Sequence, residues 1–352
     1  MFGIVVHFLA MIISMRAKSE PDSRVVVAVF DAGFEGIDKL SSDRVLRSEA
    51  PLGAPKTDVI CSRDRQYNGT GAYEKTWGWN YLGCGAHRTS IFFNNKHHGF
   101  RMARQILAGT SNAAVLPITS VVDAAGQHIL FRPPDSFQEP MEMASQKGAS
   151  VVNMSFALSP PYESQLLDSD VFNRTSASAY YRHYPKFEAT RDAMLQMVKE
   201  HAETVFVVAV GNATRQYENG RWIYRRNNLG RRLPQALKLN DNERLPNLFV
   251  VGLCDEDGTP AERVNFSEGV VDVCVYRPAP YTVKLEETHI DIRHPWSSDA
   301  AAMFSNVVAR IFENRRISPE TLRDELDTYP GITRDPQGRY DLLINHEAFS
   351  VE

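Results

Sequence analysis

Six short runs of seven to nine residues along the chain are almost entirely apolar: RVVVAVF (24–30), AAVLPITSV (113–121), SVVNMSF (150–156), TVFVVAV (204–210), NLFVVGL (247–253) and VVDVCVY (270–276). Valine-rich runs of this length, without alternating polar positions, predict strands covered on both faces. Between them the period changes. In 98–108 the apolar residues Met102, Ala103, Ile106 and Leu107 fall on one helical face, and Gly109 supplies a stop. Phe187, Met194, Leu195 and Val198 repeat at helical spacing in 186–202, and Ala300, Met303, Phe304, Val307, Val308 and Ile311 keep the same rhythm after Ser298. Ser318-Pro319 opens a further helix as cap and first residue. Strands alternating with helices predict an α/β fold, a mostly parallel sheet with helices on both faces. Reactive groups then gather beyond the strand carboxyl ends.

The 352 residues, 43% of them hydrophobic, suffice for one full-sized core, and no linker or repeat divides the chain. A net charge of -4 weighs against nucleic acid as a partner. The six arginines between Arg215 and Arg232, interleaved with Tyr217, Trp222 and Tyr224, then read as a solvated loop beside a cleft, one of three insertions at 62–90, 158–185 and 213–245. The apolar run 2–14 is too short to span a bilayer, which takes roughly 20 residues, and has the length of a signal-peptide core. Ala17 and Ser19 supply the small residues of a cleavage site, although no Lys or Arg precedes the run. Residues 1–19 are thus expected to be a signal peptide, the alternative being a buried N-terminal element, and 20–352 a single domain. The expected location is secreted or periplasmic, with the cytoplasm as the alternative. Four cysteines, even in number and without C-x-x-C spacing, are compatible with an oxidising compartment.

Four polar residues stand where elements end. Asp31 follows the first apolar run and precedes Ala32-Gly33; a carboxylate there can orient an imidazole, and also fits a turn. His98 begins the first amphipathic helix, with His97 as a rival for any role in catalysis. Asn212 follows VVAVG and can donate its amide to a developing oxyanion or close an Asx turn. Ser298 opens the long apolar helix, where backbone N–H groups favour negative charge; Ser297 or Ser298 could equally be a cap. Their joint placement on one alternating α/β pattern points to a nucleophile, a base, an orienting acid and an oxyanion donor.

These segments resemble the subtilisin-like serine peptidases. VAVFDAG is similar to the aspartate motif, HGFRMARQILAG to the histidine motif, GASVVNMSF to the substrate-binding strand, FVVAVGN to the oxyanion motif and SSDAAAMFSNVVARI to the serine helix. VVGLCDEDG and VNFSEGVVDVCVYRP are similar to the late strands, so that the likeness spans about 24–326. The resemblance implies a three-layer subtilisin-like fold and a catalytic domain over 20–352. It further implies a serine endopeptidase in which Ser298 attacks, His98 moves the proton, Asp31 holds the imidazole, and Asn212 with the Ser298 N–H takes the oxyanion. Ser155, Phe156 and Ala157 would pair with an extended polypeptide substrate. No cofactor is implied for the chemistry. Structural calcium is allowed, with Asp38 as the candidate ligand. A monomer without nucleic-acid or membrane partners is expected.

The departures from the family pattern are Trp296 for glycine, Ser297 for threonine, Ala302 for proline and Arg101 for the second histidine. Trp296 should keep an ordinary backbone and pack its ring on an insertion, leaving Ser298 reachable, while Ala157 in place of glycine should narrow the primary pocket. No pro-segment fits between residue 19 and the first strand. On export the resemblance pairs Cys254 with Cys274, and Cys61 with Cys84, out of three connectivities. The alternative function is a weak or inactive relative that binds peptide. An α/β-hydrolase esterase would need a G-x-S-x-G elbow and the order Ser, Asp, His, which this chain lacks.

Overall fold

In the computed structural model, which describes residues 24–31, 34, 36–46, 79–80, 98–119, 138–156, 185–226, 229, 232–239 and 245–349, each apolar run forms a strand of one sheet. In chain order the first half comprises β1 (Val25–Asp31), β2 (Trp79–Asn80), α1 (His98–Leu107), β3 (Ala113–Thr119), α2 (Gln138–Gln146), β4 (Ala149–Met154), α3 (Pro185–Glu200) and β5 (Val205–Ala209). A hairpin of β6 (Thr214–Glu218) and β7 (Arg221–Arg225) follows, then β8 (Leu248–Leu253), β9 (Val273–Tyr276) and a second hairpin of β10 (Tyr281–Leu285) and β11 (Thr288–Ile292). The chain continues through α4 (Ser297–Asn314), α5 (Pro319–Glu325), β12 (Ile332–Arg334) and β13 (Leu342–Asn345).

The sheet order is β12-β13-β9-β8-β5-β4-β1-β3-β2, with the β12/β13 pair antiparallel and the other neighbours parallel. From β1 to β3 the chain steps one way across the sheet, and from β3 to β4 and β5 it steps the other. Right-handed crossovers therefore carry α1 to one face and α2 and α3 to the other. At that reversal the carboxyl ends of β1 and β4 part and open a crevice. The register sets Phe30 opposite Met154, so one step further on Asp31 and Ser155 meet at its mouth.

Helix α4 crosses β1, β4, β5, β8 and β9 and packs against α1. From Ser297 to Ala309 every residue of it is buried. The small side chains Ala300, Ala301 and Ala302 let it lie close to the sheet, and Phe304 meets Phe249 of β8 with ring centroids 5.3 Å apart. Asn306, fully buried, donates to the Ile106 and Ala108 carbonyls at 2.8 and 2.7 Å and so satisfies the open C-terminal end of α1. Gly109, at φ 69°, then turns the chain out of that helix as the sequence predicts.

The strand predicted over 270–276 starts only at Val273. Asp272, 4% exposed, is a buried anchor: it accepts from Lys238 Nζ (2.7 Å), Arg323 Nη1 (2.8 Å) and the Val250 N–H (2.8 Å). Cys254 and Cys274 are joined by a disulfide with Cα atoms 5.6 Å apart; Cys61 and Cys84 lie outside the described residues. The segment 213–245, expected to be a loop, carries the β6/β7 hairpin and a 3-10 turn at Gln235–Leu239. The expected insertions 62–90 and 158–185 fall outside the described residues except for Trp79–Asn80 and Pro185. Among the described residues no helix is long and apolar enough to cross a membrane.

Asp272→Ala leaves buried Arg323 with only the longer Asp341 carboxylate contact at 3.5 Å, and removing one partner of a buried pair costs about 3–5 kcal/mol. Urea unfolding followed by circular dichroism should show that loss, and a midpoint unchanged from wild type would mean that Asp272 anchors nothing.

Candidate active site

Burial of β1 on both faces carries Asp31 to the sheet's carboxyl edge with 1% exposure. A carboxylate that dry needs a donor, and the first residue of α1 supplies it: His98 Nδ1 lies 2.8 Å from Asp31 Oδ1 and 2.9 Å from Oδ2. Nδ1 is thereby the protonated nitrogen, and Nε2 is left to accept a proton. The histidine side chain keeps 22% exposure. Burial disfavours its charged form, but the Asp31 charge and hydrogen bond, helped by Asp299 and opposed by Arg101, raise its pKa above the ordinary imidazole value.

The N-terminus of α4 stands beside this pair. Its cap position is Trp296, in extended geometry at φ -119° and ψ 178°, and an indole has no acceptor to offer the helix. Other residues take over. Asn212, held past the end of β5 by Gly211 at φ 85°, accepts from the Ser297 N–H at 3.2 Å and Ser297 Oγ at 2.8 Å. The buried Asp299 carboxylate accepts the Trp296 N–H at 2.7 Å. The N–H groups of Asp299 and Ala300 reach the Trp296 carbonyl at 3.0 and 3.1 Å. The Ser298 N–H has no acceptor among the described residues, and it lies at the positive end of the longest helix described.

Ser298 itself is 7% exposed. Its Oγ donates to the Ser155 carbonyl at 3.1 Å, and no hydrogen bond joins it to His98. The Ser155 hydroxyl donates to Asn153 Oδ1 at 2.7 Å, and the Asn153 amide to Ser305 at 3.0 Å, so β4 and α4 are tied directly beneath the serine. The structure thus brings Asp31, His98, Ser298, Asn212 and Ser155 to one crevice. The Phe156 carbonyl accepts from Gln235 Nε2 at 3.1 Å. Each carbonyl has a second lone pair, so an extended peptide can still pair at 155–156. Ala157, His97 and the side chain of Asp38 lie outside the description. Among the described residues no three His, Cys, Asp or Glu side chains are grouped to hold a metal ion.

The Trp296 ring packs on the insertion, as expected, meeting Tyr224 of β7 edge to face at 6.4 Å. Sequence reading missed Asp299, whose carboxylate is 1% exposed and accepts from Arg101 Nε at 2.8 Å, a second Arg101 nitrogen and Gln105 Nε2 at 2.7 Å. The signal was present in one place, an arginine three residues after His98 that is foreign to its motif.

An NMR titration should find His98 with a pKa above that of a free imidazole. In Asp31→Asn, burial is no longer outweighed and the pKa should fall below it. The sign also fixes linkage: a folded-state pKa raised above the unfolded one adds stability fully present at low pH and lost as pH rises through the folded value. A pKa unmoved by Asp31→Asn would contradict the pairing.

The Subtilase family model matches residues 22–329. No curated protein matches the sequence. Among solved structures, that of the subtilase cytotoxin SubAB assembly aligns with TM-score 0.55 at 16% identity, covering 94% of this chain and 89% of that one. A lanthipeptide protease aligns with TM-score 0.51 at 14% identity over 95% and 89%. The epidermin leader peptide processing serine protease EpiP of Staphylococcus aureus aligns with TM-score 0.50 at 15% identity over 93% and 74%. At these identities the likeness is one of fold, and it agrees with the sheet order and the layers described above. With the family model spanning nearly the whole chain, from before β1 to beyond α5, this protein belongs to the subtilase family of serine peptidases.

Proposed function

We propose that the chain is an active serine endopeptidase in which Asp31, His98 and Ser298 act as one unit. The observation that carries this reading is the Asp31–His98 pair standing beside a helix start where Ser298 bears both a hydroxyl and an N–H without an acceptor among the described residues. In the proposed reaction a turn about the Ser298 side chain exchanges the Ser155 carbonyl for His98 Nε2. Catalytic hydrogen bonds commonly tighten only when substrate is bound. The Oγ attacks the scissile carbonyl carbon while Nε2 takes its proton. Asp31 stabilises the resulting imidazolium through Nδ1–H. The carbonyl oxygen, now an oxyanion, accepts from the Ser298 N–H and from Asn212 Nδ2, whose orientation is fixed because Oδ1 is held by Ser297. Collapse expels the amine with the proton from His98 and leaves an acyl-enzyme, which water opens by the same steps in reverse roles.

The proposed substrates are polypeptides seated along Ser155, Phe156 and Ala157, the enzyme works as a monomer, and the chemistry draws on no cofactor. Residues 1–19 as a signal peptide, and a secreted or periplasmic home, are part of the proposal. They are supported by the apolar run and the Cys254–Cys274 disulfide. The alternative, a peptide-binding relative without turnover, is favoured by one observation, the Ser298–Ser155 bond that occupies the nucleophile.

A fluorophosphonate probe separates the two. Wild type should label and Ser298→Ala should not, while His98→Ala and Asp31→Ala should label slowly or not at all. A folded wild type that never labels would leave only the binding role. The acid limb of kcat/KM should fall above the pH of free-imidazole titration, since the base must be neutral and its pKa is raised.

Asn212→Ala should reduce kcat by about 10²–10³ with a smaller change in KM, the order for losing one preorganised oxyanion donor. Unchanged turnover on a peptide ester would remove Asn212 from the site.

A further inference from the structure

Buried charge needs a reason, and the one beside Ser298 is elaborate. Asp299 occupies the third position of α4, where its carboxylate has four donors: the Trp296 N–H, two nitrogens of Arg101 and the Gln105 amide. Arg101 and Gln105 are both on α1, one turn apart and on the face that packs against α4. From the far side, Tyr281 of β10 donates to Gln105 Oε1 at 3.0 Å, which fixes the amide so that its nitrogen faces Asp299. The chain from Tyr281 through Gln105 and Asp299 to Arg101 is buried except at Arg101, whose side chain is 27% exposed.

Stability alone is a weak explanation for such a cluster, because a buried ion pair is often matched or bettered by apolar residues of the same volume. Its geometry has another consequence. His98 is the first residue of α1, three before Arg101; Ser298 immediately precedes Asp299. A planar guanidinium fork on a carboxylate restrains both distance and orientation, so the two helix starts cannot slide or rotate past one another without breaking it. Resting on the peptidase reading, we infer that the Arg101–Asp299 pair, braced by Gln105 and Tyr281, is a positioning device that sets the register between His98 and Ser298. Neither residue touches the reacting atoms; they act through the helices that carry the base and the nucleophile.

The charges add a signature that a purely structural brace would lack. Among the described residues, the charged groups acting on His98 are Asp31 from β1, Asp299 from α4 and Arg101 from α1 itself. Asp31 and Asp299 favour the imidazolium, and Arg101 opposes it. Removing either member of the pair loosens the same contact but changes the field at His98 in opposite senses.

The test compares Asp299→Asn, Arg101→Met and the double variant with wild type, after Ser298-dependent fluorophosphonate labelling has been shown for wild type. Each single variant should lose kcat by up to about 10²-fold, the scale of a small misplacement of reacting groups, with KM little changed. The double variant should be no worse than the poorer single. The acid limb of kcat/KM should move to lower pH in Asp299→Asn and to higher pH in Arg101→Met. Wild-type kcat in both variants, or limbs moving in the same direction, would overturn the inference. Should Asp299→Asn fail to fold, Arg101→Lys at the partly exposed position decides. It keeps the charge and loses the fork, so kcat should drop while the limb stays in place, and an undiminished kcat would refute the positioning role. If wild type never labels, the peptidase reading fails by itself, and NMR titration of His98 still tests the pair: opposite shifts in the two single variants support it, equal or absent shifts refute it.

Discussion

Helix α4 is buried along most of its length, so the N–H groups of its first turn must find acceptors inside the protein or face something that provides one. The residue at the cap is a tryptophan, whose indole cannot accept. The fold answers by bringing acceptors from elsewhere: Asn212 from the end of β5 takes the Ser297 N–H, and Asp299 reaches back for that of Trp296. What remains is the Ser298 N–H, without an acceptor among the described residues and at the positive end of an 18-residue helix. A helix start completed at every group but one is a place prepared for an anion, and the residue bearing that group also carries the hydroxyl. The same amide that caps the helix is the second oxyanion donor in the proposed reaction.

The sheet makes this arrangement rigid. Asp31 and Ser155 reach the crevice because β1 and β4 are adjacent and parallel, and their burial on both faces leaves no freedom to shift by a residue without moving polar groups into the core. Helices α1 and α4 are fastened at both ends, by Asp299 to Arg101 and Gln105 at the end that carries His98 and Ser298 and by Asn306 to the Ile106 and Ala108 carbonyls at the other. Two helices pinned in this way hold His98 and Ser298 more firmly than the apolar contact between them would, because directional bonds fix rotation where dispersion contacts tolerate it.

The hairpin β6/β7 shows how a departure from the family pattern is absorbed. A glycine would leave the approach to the serine open. Trp296 sits there in an extended conformation available to any residue, and its ring turns to Tyr224. Pro295, just before it, is fixed by the Arg263 Nε bond to its carbonyl at 2.7 Å. The Trp296 ring thus rests against a segment whose composition alone read as solvated loop. In the register of the hairpin, Arg215 pairs with Tyr224 and Tyr217 with Trp222.

Sequence by itself determined the parallel α/β plan, because strands buried on both faces must be apolar at every position and helices packed on one side must repeat near 3.6 residues. It also placed Asp31, His98, Asn212 and Ser298 where the hydrophobic pattern breaks, at strand ends and helix starts, and the structure has them there. The start of β9 was misplaced by three residues because Asp272, an acid inside an apolar run, anchors a buried cluster whose partners, Lys238 and Arg323, are distant in sequence. The hairpins went unread for a related reason: β6/β7 and β10/β11 are short, and which of their faces is covered depends on what they dock against. Only the tertiary structure decided that Ser298 rests on the Ser155 carbonyl, that Asn212 caps the serine helix, and that Arg101 and Asp299 are partners. Each of these is a contact between segments at least 85 residues apart, visible only once the crossovers have set the strands side by side.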